Sequence, residues 1–240
     1  MLANNETGVI QPVAEAAALV CDAGGWLHVD AVAAAGRIAI DFTALGADSL
    51  ALSAHKLGGP QGSGALVAGT RATITRRLHG GGQERGYRAG TENGPGIAGF
   101  GAAASAAARD LVKAGAQAAW RDAAEARLAD AGGVVIADAS PRLPNTLCVA
   151  SPGYPADLQV IALDLAGVMV SAGSACSSGK VAASAVLTAM GLGDLAGCAV
   201  RASGSWATTE ADWVRFADAW IETNNRYAAR RRASQERPQA

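Results

Sequence analysis

Asp48-Ser49-Leu50-Ala51-Leu52 runs into Ser53-Ala54-His55-Lys56 and then into the glycine-rich turn Leu57-Gly58-Gly59-Pro60-Gln61-Gly62. The first five residues read as a half-buried strand, and the strand delivers one lysine into the turn. A lysine at a strand end, with a hydroxyl and an imidazole just before it, is placed to form an imine with a carbonyl compound. Upstream, Trp26-Leu27-His28-Val29 reads as a second buried strand that carries Asp30 to its end. Downstream, Gly64-Ala65-Leu66-Val67-Ala68 reads as a third. Between these lie helical stretches, and strands alternating with helices predict an α/β protein with parallel strands.

The outer elements follow the same logic. Pro12 opens a helix through Val20-Cys21 that stops at Gly24-Gly25, the usual proline-start and glycine-stop asymmetry. Thr70 to Leu78 reads as helical, and the glycine-rich stretch from Gly80 to Gly96 as a long loop of the kind that carries function. Gly96 to Ala131 reads as a long alanine-rich helix, broken near Gly115. A second unit then holds strands at Val134–Ala137, Thr146–Val149, Val168–Ser171 and Ala199–Ala202, with helices at Ala156–Leu165, Val181–Met190 and Thr209–Tyr227. Residues 1–96 are thus expected to form one domain and residues 97–228 a smaller one. Residues 229–240, a polar and aperiodic tail with Arg230-Arg231-Arg232, are expected to be disordered.

Composition bounds the function. The 240 residues carry a formal charge of −1, half of them are hydrophobic and 5% are aromatic. That balance gives no electrostatic footprint for nucleic acid or an anionic membrane. The longest weakly polar run, Ile97 to Ala108, is too short and too weakly apolar to span a bilayer. No basic segment precedes an apolar stretch at the start, so no signal peptide is visible. Cys21, Cys148, Cys176 and Cys198 show neither CxxC pairs nor interleaved histidines, so no metal site is expected and a reducing cytoplasm is the simplest compartment. Cys21, Cys148 and Cys198 lie in apolar runs and read as buried thiols.

A lysine that captures an aldehyde and a carboxylate that keeps a pyridine nitrogen protonated are the two groups pyridoxal 5'-phosphate enzymes need. Lys56 and Asp30 are the candidates. Three further stretches join them. Cys176 lies in Ser171-Ala172-Gly173-Ser174-Ala175-Cys176-Ser177-Ser178-Gly179-Lys180, a run of small residues suited to an exposed loop. His79-Gly80-Gly81-Gly82-Gln83-Glu84-Arg85-Gly86-Tyr87-Arg88-Ala89-Gly90-Thr91-Glu92-Asn93 is too glycine-rich for a helix, and Asn4-Asn5-Glu6-Thr7-Gly8 is a polar turn. In this order and spacing, from Met1 to about Thr223, the chain resembles the cysteine desulfurases of the class V aminotransferase family.

The resemblance implies the C-terminal portion of a fold type I transferase: a partial, mainly parallel large-domain sheet plus a smaller α+β C-terminal domain. It implies that the phosphate-cradling turn and a ring-stacking histidine belong to a preceding part, so a shortened or fragmentary chain is expected, one that by itself binds the cofactor weakly or not at all and is inactive. It implies that Lys56 holds the cofactor, Asp30 pairs with its ring nitrogen, and Ser53 and His55 donate to its phosphate. Thr91 resembles the residue that reaches the cofactor of a neighbouring subunit, implying a homodimer. Asn5 matches the asparagine near the cofactor and the substrate carboxylate, and Arg201 the arginine that grips that carboxylate. Cys176 is the implied sulfur acceptor, forming a persulfide as L-cysteine becomes L-alanine. The sulfur then passes to an acceptor protein such as an iron–sulfur scaffold or a thiolation partner. Two positions depart from the family pattern: Ala33 stands where a glutamine is usual, and Ala185 where a histidine or tyrosine often stands. A selenocysteine lyase, an aminotransferase of the same class and a non-catalytic remnant are the alternatives.

Overall fold

The computed structural model describes residues 1–173 and 183–235. The chain divides into two units, one of Met1–Asn4 with Ile10–Val112 and the other of Asn5–Val9 with the chain from Lys113 onward.

In the first unit, α1 (Val13–Asp22) begins after Pro12 and buries Val13 and Ala17. It ends as expected: Gly24, at φ 71°, and Gly25 return their N–H groups to Cys21 O and Val20 O. The short β1 (His28–Asp30) runs parallel to β2 (Ser49–Ser53), with Asp30 opposite Ala51. Between them α2 (Phe42–Leu45) is capped by the Asp41 carboxylate, which accepts from Thr43 N and Ala44 N. Buried Asp48 starts β2 and organises this edge. Its carboxylate accepts from Leu27 N at 2.8 Å and pairs with Arg71 Nε at 3.2 Å.

The expectation of a mainly parallel sheet is corrected here. β3 (Gly64–Ala68) pairs antiparallel to β2, from Ser49↔Ala68 to Ser53↔Gly64, so the sheet β1-β2-β3 is mixed. The link from β2 to β3, Ala54 to Ser63, is shorter than a crossover to a parallel neighbour needs, and it returns the chain antiparallel. Thr70 to Leu78 is not helical either. Thr70, Thr73, Ile74 and Thr75 are β-branched and pay rotamer entropy in a helix, and Arg76 instead ties the loop by donating to Leu78 O, Gly80 O and Gly81 O.

The long helix of the alanine-rich stretch is two, α3 (Gly94–Asp110) and α4 (Ala114–Asp130), separated by the 3-10 turn Leu111–Lys113. Helix α3 packs within the first unit. A Cβ on Gly59 would touch Ala103, and one on Gly36, at φ 70°, would meet Leu57 and Ala107 at 3.0 Å or less. The division therefore falls after α3 rather than near Ile97.

The second unit is built on an antiparallel sheet in the order β4-β5-β7-β6, formed by Val134–Val135, Thr146–Ala150, Ala199–Ser203 and Ser171–Ala172 respectively. Its helices are α4, α5 (Ala156–Leu165), α6 (Ala185–Ala189) and α7 (Glu210–Gln235). Strand β5 is buried throughout because both faces are covered. Leu147 and Val149 join Leu128, Leu163, Val200, Phe216 and Trp220 in one core, while Cys148 and Ala150 join Ile136, Leu187 and Ala199 in another. This is the period-two alternation of a strand shared between two layers.

Helix α7 starts where expected. Asp212 accepts from Thr209 N and Thr209 Oγ1, both at 2.8 Å, and these bonds hold its carboxyl below the usual carboxylate range. It runs on through Gln235, into the stretch expected to be disordered. The extension is fastened by side chains: Tyr227 stacks on Tyr154 with centroids 3.9 Å apart, and Tyr227 Oη and Arg231 Nη1 both donate to Gly153 O. Residues 236–240 lie outside the described residues. No helix among the described residues is long and apolar enough to cross a membrane.

Ser184 caps α6, accepting from Leu187 N at 3.1 Å while its hydroxyl donates to Glu6 Oε2 at 2.5 Å. Both residues are buried. Ser184→Ala removes the cap and one charge-assisted bond, so it is expected to cost about 2 kcal/mol in urea unfolding. Ser184→Thr, which keeps the hydroxyl, should recover most of that loss; equal loss in both variants would assign the effect to packing.

Candidate active site

The turn after β2 is made by Ala54. Its side chain is fully buried, its N–H donates to Ser63 O at 3.0 Å and its carbonyl accepts from Gly59 N at 2.9 Å. The 3-10 turn Ala54–Leu57 closes at Gly58, whose φ of 85° suits a residue without a Cβ. With Ala54 pinned inward, His55 and Lys56 are left exposed. Ser53 Oγ and His55 Nδ1 lie 2.8 Å apart, a hydroxyl and an imidazole held as one polar pair. Lys56 makes no ion pair or hydrogen bond among the described residues, so its amine is open to a reacting partner.

Asp30 ends β1, the parallel neighbour of β2. One carboxylate oxygen accepts from Val32 N at 2.8 Å and shapes the next turn, while the other is not engaged among the described residues. Asp30, Ser53, His55 and Lys56 therefore stand at the carboxyl ends of two adjacent parallel strands, where open α/β sheets bind ligands. Ala33 lies in the turn that follows Asp30. Thr91 is exposed near the end of the glycine-rich loop, where Glu84 and Arg85 take φ of 50° and 57° and Arg88 Nη1 donates to Gly90 O.

The second unit carries a separate group. Arg201 stands on β7 between Cys148 of β5 and Ser171 of β6. Its Nη1 donates to Asn5 O at 2.6 Å, and its Nε is buried with no partner among the described residues. The Nη2 side of the guanidinium is left for another acceptor. Asn5 is held by its neighbours: Gly8 O accepts from Leu143 N at 2.8 Å, and Glu6 accepts from Ser184. Gly8 sits at φ 77° with a Cβ position 3.0 Å from Thr146, so a side chain would be excluded there. Glu6 and Ser184 were not singled out by sequence reasoning as members of this group. The capping signal of a serine just before the apolar run of α6 was there to be read.

The cysteines divide by surroundings. Burial, and then the Glu6 charge, push the Cys148 thiol up to about 12, so it is no nucleophile at neutral pH. Cys198 is buried as expected. Cys21 is not: it faces outward on α1, where Arg71 Nη1 donates to its sulfur at 2.6 Å. Cys176 lies outside the described residues, and Ala185 is the first residue of α6.

The pattern described as Aminotransferase class-V matches residues 1–216. A cysteine desulfurase of Gluconacetobacter diazotrophicus is 41% identical over 222 residues, covering 91% of this chain and 56% of that protein. The putative cysteine desulfurase IscS 1 of Bacillus subtilis is 42% identical over 194 residues, covering 79% of this chain and 51% of that protein. Among solved structures, a NifS-like protein from Rickettsia africae matches with a TM-score of 0.83 at 34% identity, over 93% of this chain and 60% of that one. The chain thus spans about half the length of the curated relatives it matches. With a family match that takes in both units almost completely, the chain belongs to the class-V aminotransferases.

Proposed function

We propose that this chain carries the lysine-bearing and sulfur-accepting parts of a cysteine desulfurase. One observation carries the reading: the exposed Lys56 amine and the Ser53–His55 pair at the end of β2 stand beside the Asp30 carboxylate at the end of the parallel β1. These groups fit pyridoxal phosphate. An unpartnered amine suits its aldehyde, a carboxylate with one free oxygen suits its ring nitrogen, and a hydroxyl and an imidazole suit its phosphate. When bound, the cofactor supplies an electron sink for a negative charge developing at the substrate Cα.

The protein's own residues do the rest. With the amino acid in place, Lys56 Nζ would move the Cα proton. Arg201 receives the substrate carboxylate on the open side of its fork, which the bond to Asn5 O keeps oriented. The Cys176 thiolate forms a bond to the sulfur of L-cysteine as the substrate C–S bond breaks; the electron pair of the broken bond stays with the substrate carbon, which takes up a proton to become the methyl group of L-alanine. Cys176 is left as a persulfide, whose outer sulfur passes to an acceptor protein such as an iron–sulfur scaffold. Thr91 belongs to a homodimer in this reading, reaching the phosphate in the neighbouring subunit. The free thiols at Cys21, Cys148 and Cys198 suit a reducing cytoplasm.

The test separates the cofactor chemistry from the sulfur chemistry. In the longer protein that the resemblance implies, given pyridoxal phosphate and L-cysteine, Cys176→Ala is expected to keep the visible cofactor band and to lose sulfide and alanine production about a hundredfold or more. Alanine formation at the parent rate in that variant would assign the protein to the aminotransferase or lyase activities of the family instead.

A further inference from the structure

A groove of about 890 Å³ runs along the outside of the second unit between α5 and α7. Its α5 side presents Leu158, Ile161 and Leu165, which are 43%, 57% and 84% exposed. Spaced three and four residues apart, they form one apolar stripe about two turns long. The α7 side presents Arg226, Arg230 and Arg231 over the same groove. At its head the Tyr154–Tyr227 stack gives a rigid aromatic end.

The charges on the α7 bank are not balanced. Arg226 pairs with Glu222 one turn away, and Arg231 donates to the backbone at Gly153. The Arg230 guanidinium has no partner among the described residues, and Glu222 is the one carboxylate lining the groove. A chain with a net charge of −1 therefore concentrates three positive groups beside its exposed leucine and isoleucine stripe. From Glu222 to Ser234 the bank is about 18 Å long, room for roughly three turns of another helix. The apolar stripe and the arginines line one groove, a shape that receives a helix.

We propose that this groove docks an acidic amphipathic helix of a partner protein, its apolar edge on Leu158, Ile161 and Leu165 and its carboxylates against Arg226, Arg230 and Arg231. None of the residues assigned to catalysis lines this groove, and the proposal stands whether or not the desulfurase reading does. Charge complementarity selects the acidic partner, and the stripe selects one with leucine-like residues at helical spacing.

The probe is a fluorescent, end-capped helical peptide of about fourteen residues with leucines on one face and glutamates on the other, titrated against the full chain by anisotropy. Binding that weakens with salt is expected. Arg230→Glu and, separately, Leu165→Ser should each weaken it about tenfold, with unfolding midpoints unchanged because both side chains are exposed. A matched peptide with lysines in place of glutamates should not bind. No binding of the glutamate peptide at millimolar protein, equal binding of the lysine peptide, or indifference to both substitutions would overturn the proposal. So would a preference for anionic phospholipid vesicles over the peptide.

Discussion

In the longer protein that the resemblance implies, Lys56→Ala is expected to abolish both the visible cofactor absorbance and borohydride labelling after incubation with pyridoxal phosphate, and to lower turnover of L-cysteine by at least about 10³-fold. The size follows from two losses at one atom. The amine that captures the aldehyde is gone, and so is the base at the Cα proton, a role that alone contributes on the order of 10²–10⁴-fold. Nothing structural should change with it, since Lys56 is exposed and makes no hydrogen bond among the described residues. The assignment is easy to map, because the sequence has only two other lysines, Lys113 and Lys180. Recovery of the reduced label on either of them, with Lys56 unmodified, would remove the observation on which the proposed function stands.

The largest loss of stability is expected from Trp220→Ala, about 3–5 kcal/mol in chemical denaturation. Trp220 is 1% exposed and fills the core between α4, α7 and the sheet, close enough to Gly133 that a Cβ there would meet its ring at 3.0 Å. Its Nε1 donates to Gln159 Oε1 at 3.2 Å, and Gln159 in turn donates to Tyr154 O and Cys198 O. Truncation would empty the ring's volume and leave a buried amide oxygen unpaired. Trp220→Phe separates the two effects, since it keeps most of the volume and loses the donor. A loss under about 1 kcal/mol for the alanine variant would show that the core collapses around the gap.

The sequence made some of this legible for local reasons. The limits of α1 were written by Pro12 and Gly24-Gly25, and the exposed lysine turn by Ala54 and the glycines after it. Strand direction was not. A β-then-α alternation predicts parallel neighbours, but β7, which follows β6 through α6, lies between β5 and β6 and pairs antiparallel with both. The apolar run around Cys21 suggested burial where α1 turns that side to solvent. The arginines after Tyr227 suggested a loose tail where a tyrosine stack and the Gly153 carbonyl hold a helix. Glu6 carried no local signal, because its partner Ser184 comes 178 residues later.

The second unit is also discontinuous along the chain, since Asn5–Val9 belongs to it although Ile10–Val112 does not. Bringing that strap to the rest of the unit closes a loop made by the 103 residues Ile10–Val112. A flexible loop that long carries about 4 kcal/mol of closure entropy. During synthesis, the strap leaves the ribosome before β5, α6 and β7 and has to wait for them. A piece begun at Lys113 would contain every helix and strand of that unit and yet lack the carboxylate that Ser184 bonds and the carbonyl that orients Arg201. Excision at the apparent domain border is therefore expected to yield a unit with its guanidinium untethered, and supplying residues 1–12 as a separate peptide should restore the tether in trans.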